Sequence, residues 1–392
     1  MNPIQNPSNS PENTAFSSAN SGQFGPQWYK LSLLNGLSLC FLGAYFVLSA
    51  FAFVLVVEPS LAGLSNWRIY DDSNVYVSIA KFVRSQDENV ALVGLLSLAR
   101  NLVLPVLEVL VLQTPRNIAL FNVVIFGVAL CALASTFKEF KWYIFLPFIL
   151  ISPTTFQALF TLNKEIFALL CAVILACWFR SGRLHAMLVL LTISFILRWE
   201  QALVILIYLV LRKSRMPRRY AAVALLLGIS VLYPIAISVA GLSAYSLTYS
   251  SSAAYLAINR WQARGLYFAL ILPKLFLDLT SQILRFWEPF STPERLHNLP
   301  TGMFVMVDQL CMCAVCAYAL YRRRLSIEGE VGYFVIVFVI IYLAAPENSP
   351  RYLYFVYVLL AVALSIPDAY GFSGSRARKP RGHVDGIASS LV

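Results

Sequence analysis

Charge is what this sequence has least of. Only 12% of its 392 residues are Asp, Glu, Lys or Arg, about half the share a soluble domain carries. That scarcity excludes an ordinary soluble enzyme, a disordered protein and a nucleic-acid binder. Histidine is nearly absent, with three in the chain. No Ser-His-Asp, zinc or Walker-type constellation appears, so nothing couples the chain to ATP. Cysteine is present, but all seven fall inside apolar stretches. Cys311, Cys313 and Cys316 are spaced like a metal cluster, yet they have no histidine neighbour and sit among Met, Val and Ala. They read as small packing residues, and no disulfide framework is implied.

In place of charge there is apolar surface, 59% of residues, at a mean hydropathy of +0.71. This is the composition of a polytopic membrane protein. Residues 1–29, rich in Asn, Ser, Pro and Gln, cannot bury enough apolar surface to fold and are expected to form a disordered tail. They lack the basic start and short apolar core of a signal peptide. The first apolar run, Leu31–Val57, is long enough for a hydrocarbon core of about 30 Å. Further spans are expected at Asn117–Thr136, Trp142–Phe160, Ile166–Phe179, Leu184–Leu197, Gln201–Leu211, Tyr220–Ala240, Met303–Tyr321, Val331–Ala345 and Tyr352–Ile366. Two more apolar stretches, Val90–Gln113 and Leu266–Leu284, carry interior charges and are interrupted by Pro105 and Pro273. They read as interfacial or re-entrant segments.

The fold class that follows is all-α: a polytopic transmembrane bundle of about ten spans plus two interfacial or re-entrant helices. No internal repeat is evident. The organisation is a tail at 1–29, a helical domain at 30–368 with outside loops at 58–116 and 241–302, and a basic tail at 369–392. Basic loops stay on the cytoplasmic side. With ten spans and an inside N-terminus, 17 of the 30 basic residues but only 6 of the 19 acidic ones fall inside. The net charge of +11 is therefore a topology signal rather than a sign of a polyanion ligand. The hairpin Leu184–Leu211 has arms of about 21 and 17 Å at 1.5 Å per residue. They are too short to cross fully, so its tip should be buried among other helices, where such dips usually line a cavity.

On this topology the polar residues that packing does not explain gather at the outer face. Asp71 and Asp72 follow the first helix. Adjacent carboxylates there suit a general base with its orienting partner, or a divalent metal such as Mg or Mn held by oxygen ligands. Capping of a helix that starts near Asn74 is equally compatible. Lys164 beside Glu165 is either a snorkelling pair at a helix end or a cation aimed at a lipid phosphate. Arg198 and Glu200 occupy the hairpin tip, and the planar fork of an arginine suits paired phosphate oxygens. Arg351 follows a Pro-bounded turn, with a salt bridge to Glu347 as the simpler reading. Arg100 with Glu108 and Lys274 with Asp278 read as amphipathic surface patterns. Asp308, inside a span, is expected to hydrogen-bond a neighbouring helix.

These residues resemble the GT-C class of integral-membrane glycosyltransferases and the related bacterial surface-polysaccharide polymerases of O-antigen and exopolysaccharide synthesis. The resemblance rests on Asp71-Asp72 with Tyr76 and Ala80, on Asn163-Lys164-Glu165-Ile166-Phe167, on Arg198-Trp199-Glu200, and on Pro350-Arg351-Tyr352. It implies transfer from a sugar donor linked to polyprenyl phosphate or pyrophosphate, to a glycan or lipid acceptor, at the outer face of a bacterial inner membrane. By the resemblance a first-loop Asp is the catalytic base or a metal ligand. On the reading of the residues themselves Lys164, Arg198 and Arg351 are expected to hold the phosphate of the lipid carrier, Glu165 and Glu200 to orient those cations, and Tyr76 to join the substrate site. The large soluble C-terminal domain of many GT-C enzymes is missing here. The arginine-rich loop of some O-antigen polymerases is not obvious in 241–302. A transporter or flippase of lipid-linked sugars, or of another anionic substrate, would also explain buried cations and broken helices.

Overall fold

The computed structural model describes residues 25–57, 111–112, 114–239, 253–284, 299–344 and 350–367. Within them every regular element is a helix. In chain order these are α1 (Gly25–Ala52, continued by a π-turn at Phe53–Val57), α2 (Pro115–Thr136), α3 (Trp142–Ile151), α4 (Pro153–Phe160), α5 (Glu165–Ser181), α6 (Leu184–Leu197) and α7 (Trp199–Lys213). Then come α8 (Arg218–Val239), α9 (Ala253–Ala263), α10 (Tyr267–Leu284), α11 (Leu299–Tyr321), α12 (Glu330–Tyr342), a 3-10 turn at Pro350–Leu353, and α13 (Tyr354–Ser365). The sequence punctuates them. Thr114 caps α2 by accepting from the Asn117 N–H at 3.2 Å, with Pro115 in the first turn where no donor is needed. Gly182 ends α5 at φ +65°, a left-handed conformation open to glycine at no steric cost.

The bundle is arranged by length. Among the described residues, four helical stretches are long and apolar enough to cross a membrane alone: Ser32–Leu55, Arg116–Thr136, Arg218–Ile235 and Met303–Tyr321. They present large apolar side chains outward, such as Leu48, Val124, Val231 and Leu320, which is the surface a bilayer solvates. The elements they surround are shorter. α3 has 10 residues, α13 12 and α12 13, or about 15, 18 and 20 Å at 1.5 Å per residue. All twelve residues of α13 are buried, among α3, α5, α11 and α12. A helix apolar on every side belongs in a core, and α13 is that core.

Three expectations are corrected. The stretch Trp142–Phe160 is not one straight span: it bends by 78° at Ser152, where Pro153 starts a new helix. Pro273 does not interrupt α10, which runs through it. Lys274 and Asp278 form no surface pattern, because both are completely buried. Lys274 Nζ donates to Gln262 Oε1 at 3.2 Å, and Gln262 Nε2 donates to the Leu343 carbonyl at 3.1 Å, tying α10 through α9 to the end of α12. The helix α9 itself lies inside the stretch expected to be an outside loop.

The basic loops meet at one end of the bundle. There Glu330, at the start of α12, accepts from Arg218 at 2.5 Å and Arg212 at 3.3 Å, and from the Tyr208 hydroxyl. Arg219 pairs with Glu328 at 3.1 Å. The buried Arg324 donates to the Ile366 carbonyl at 2.6 Å.

Candidate functional site

At the opposite end, three of the singled-out motifs converge on one cavity of about 350 Å³. Asn163 Oδ1 accepts from the Glu165 N–H at 3.2 Å, which starts α5 and sets Lys164 beside it on the cavity wall. Arg198 is the single extended residue, φ −155°, between α6 and α7. Its N–H closes α6 on the Ser194 carbonyl at 2.8 Å, and its own carbonyl accepts from Gln201 at 2.9 Å to open α7. The hairpin expected from the sequence is therefore real, but its tip is not wholly buried as expected: Arg198 and Gln201 turn inward, while Trp199 and Glu200 are exposed. The third motif supplies Tyr352, from the turn before α13.

Arg198 is held from two sides. One Nη donates to Glu165 Oε1 at 2.7 Å, and the guanidinium lies 4.5 Å from the centre of the Tyr352 ring. Glu165 is buried, and a carboxylate removed from water needs its partner, because breaking such a pair is strongly unfavourable. The fixed guanidinium also carries more donors than this one bond uses, and Arg198 lines the cavity. Glu200 lies on the same wall and is exposed. Leu203, Val204, Phe338 and Ile341 make the rest of it apolar, with Trp199, Tyr342 and Tyr352 between the two kinds of surface. Cations, a carboxylate, aromatic rings and a greasy wall thus share one space, a combination that suits an amphiphilic anion.

A second, water-sized cavity of about 20 Å³ lies beside the break between α3 and α4. Here Asp308 of α11 accepts from Ser152 Oγ at 2.7 Å, from the Thr154 N–H at 3.1 Å and from Thr154 Oγ1 at 2.5 Å. The residue expected to hydrogen-bond a neighbouring helix does so, and it caps α4 across the bundle.

Asp71, Asp72, Tyr76, Arg100, Glu108 and Glu347 lie outside the described residues, as do positions 1–24, the tail at 369–392 and much of the loops 58–116 and 241–302. Positions 25–29, expected to belong to the disordered tail, form the first turns of α1 instead. Arg351 belongs to the 3-10 turn and is located by its backbone alone. Among the described residues no three His, Cys, Asp or Glu side chains are grouped to hold a metal. The pairing of Glu165 with Arg198 rather than with its neighbour Lys164 was not foreseen. The signal for it was faint: a carboxylate at the start of α5 and a cation at the tip of the hairpin, 33 residues apart. Comparison with protein-family models, with curated proteins and with solved structures finds no match.

Proposed function

We propose that the chain is a membrane glycosyltransferase or polysaccharide polymerase that takes a sugar from a polyprenyl-phosphate or polyprenyl-pyrophosphate carrier at the periplasmic face of a bacterial inner membrane. The observation that carries this reading is the convergence of Lys164, Arg198, Glu200 and Tyr352 on one amphiphilic cavity. Lys164 and Arg198 would take the oxyanion and stabilise the charge that develops on the leaving phosphate. Glu200 would accept from sugar hydroxyls, and Trp199 offers a ring face for stacking. Glu165 orients Arg198. Asp72, assisted by Asp71, would deprotonate the acceptor hydroxyl or hold a metal. The basic end then faces the cytoplasm, as a ten-span topology requires.

The test is deletion of the gene and comparison of surface glycans and lipid-linked intermediates, with complementation by wild type and by Asp71→Asn/Asp72→Asn. Single unpolymerised repeats rescued only by wild type would identify a polymerase, and a glycan short of one sugar a single-sugar transferase. Full rescue by the double variant would remove the carboxylate chemistry. A second reading, a flippase, draws on the break at Ser152, since transporters build sites at interrupted helices. Carrier-linked repeats trapped on the inner leaflet would favour it.

A further inference from the structure

The cavity is too small for the whole of the ligand it suits. About 350 Å³ lies at the lower end of small-molecule pockets, roughly 300–1,000 Å³, room for a headgroup rather than a headgroup with a long chain. Its apolar wall continues into exposed surface of α7. Leu203 lines the cavity and is 40% exposed. From there Trp199, Leu203, Leu206 and Val210 recur at intervals of four, three and four residues, one face of a helix. All four are exposed, Val210 at 69%. The stripe runs from the cavity toward the Glu330 cluster, and it begins where Arg198 fixes a positive charge.

We infer that this stripe on α7 is the track for the hydrocarbon chain of an isoprenyl phosphate whose head sits between Lys164 and Arg198. The inference rests on the proposed function and adds where the carrier lies and how it enters: sideways from the bilayer past Leu203, between α7 and α12. Charge complementarity fixes the head, and the continuity of the apolar wall with the stripe fixes the direction of the tail. Bulk lipid would cover any exposed helix face, whereas a track makes affinity depend on particular side chains far from the phosphate.

The experiment uses the full chain in detergent or nanodiscs, with three probes: a long-chain isoprenyl monophosphate, a short-chain isoprenyl monophosphate and inorganic phosphate. Binding is measured for wild type, Leu206→Ser, Arg198→Gln and, as a lipid-facing control on α8, Leu227→Ser. The two leucine variants are checked for an unchanged melting temperature, and Arg198→Gln, which loses its Glu165 partner, is checked to be folded at the assay temperature. Leu206→Ser should weaken the long-chain probe about fivefold to tenfold, as expected for lost apolar contact. It should leave the short-chain probe unchanged, and Leu227→Ser should alter neither. A photoreactive residue at 206 should crosslink the long-chain probe, and one at 227 should not. Equal loss from Leu206→Ser and Leu227→Ser, or equal affinity for long and short chains, would overturn the track and leave the headgroup site standing. Long-chain binding that survives Arg198→Gln unchanged would overturn the proposed site itself, and absence of saturable binding by either isoprenyl probe would overturn both.

Discussion

Asp308 and Thr154 stand 154 positions apart in the chain, and the carboxylate of the first takes both the N–H, at 3.1 Å, and the hydroxyl, at 2.5 Å, of the second. A helix that begins inside a bundle has no water to satisfy its first donors, and α11 supplies the missing acceptor. Asp308→Ala should lower stability by about 2 kcal/mol, the sum of a lost cap and stranded donors. Asp308→Asn, which keeps an acceptor oxygen, should lose less. Melting temperatures of the purified variants check the order, and equal losses would speak against capping.

Arg198→Lys keeps the charge but gives up the planar fork that meets Glu165 while facing the cavity. Turnover, or isoprenyl-phosphate binding, should fall about tenfold or more. Normal activity in a well-folded Arg198→Lys protein would count against paired-oxygen recognition. A double-mutant cycle of Arg198→Gln with Glu165→Gln should return a coupling of about 3 kcal/mol in stability.

Gly332 should tolerate no side chain. A Cβ there would lie 2.1 Å from the Ser326 carbonyl oxygen and 2.8 Å from the Leu325 carbonyl carbon. Both are backbone atoms that cannot rotate away. Gly332→Ala should therefore cost about 3 kcal/mol, at the upper end of the overpacking range. A melting temperature within a degree of wild type would contradict the close approach.

Removing the Glu330 carboxylate should loosen the basic end. Two arginines and the Tyr208 hydroxyl share it, and Glu330→Ala leaves all three facing one another. The expected loss is about 1–2 kcal/mol. Glu330→Gln, with one acceptor oxygen left, should fall between that variant and wild type in thermal unfolding.

Side-specific labelling tests the topology. In a chain whose seven cysteines are replaced, single cysteines at Ser214 and Trp199 should react with a membrane-impermeant maleimide from opposite sides. Reaction at Ser214 from the outside and at Trp199 from the inside would overturn the positive-inside assignment and move the cavity to the cytoplasmic face. Reaction of both from one side would contradict their placement at opposite ends of a membrane-crossing bundle.

The helices could be read from the sequence because apolar runs bounded by Pro, Gly and clustered arginines leave few alternatives. Gly182 and the Arg212–Arg219 run marked real ends. What could not be read was depth. Lys274 and Asp278 looked like a solvated i,i+4 pair, since spacing along a helix does not reveal whether another helix covers it. Ser152 was invisible as a break because Pro153 in an apolar run also fits a kink, and the acceptor that permits the break sits 156 residues away in Asp308. The inward turn of Arg198 in the Leu184–Leu211 hairpin was legible for a simpler reason, the shortness of the two arms, but the same arithmetic hid that Trp199 and Glu200 beside it are exposed.

The burial of α13 has a consequence for biosynthesis. Among the described residues, the helices that pack most closely on it (α3, α5, α11 and α12) precede it in the chain and leave the ribosome first. Until Tyr354–Ser365 emerges, those helices enclose a gap that lipid or a chaperone must fill. Newly made protein should remain a loose set of inserted helices, sensitive to protease, and then tighten in one late step. Nascent chains arrested before residue 350 should be degraded quickly even though most of their spans are complete.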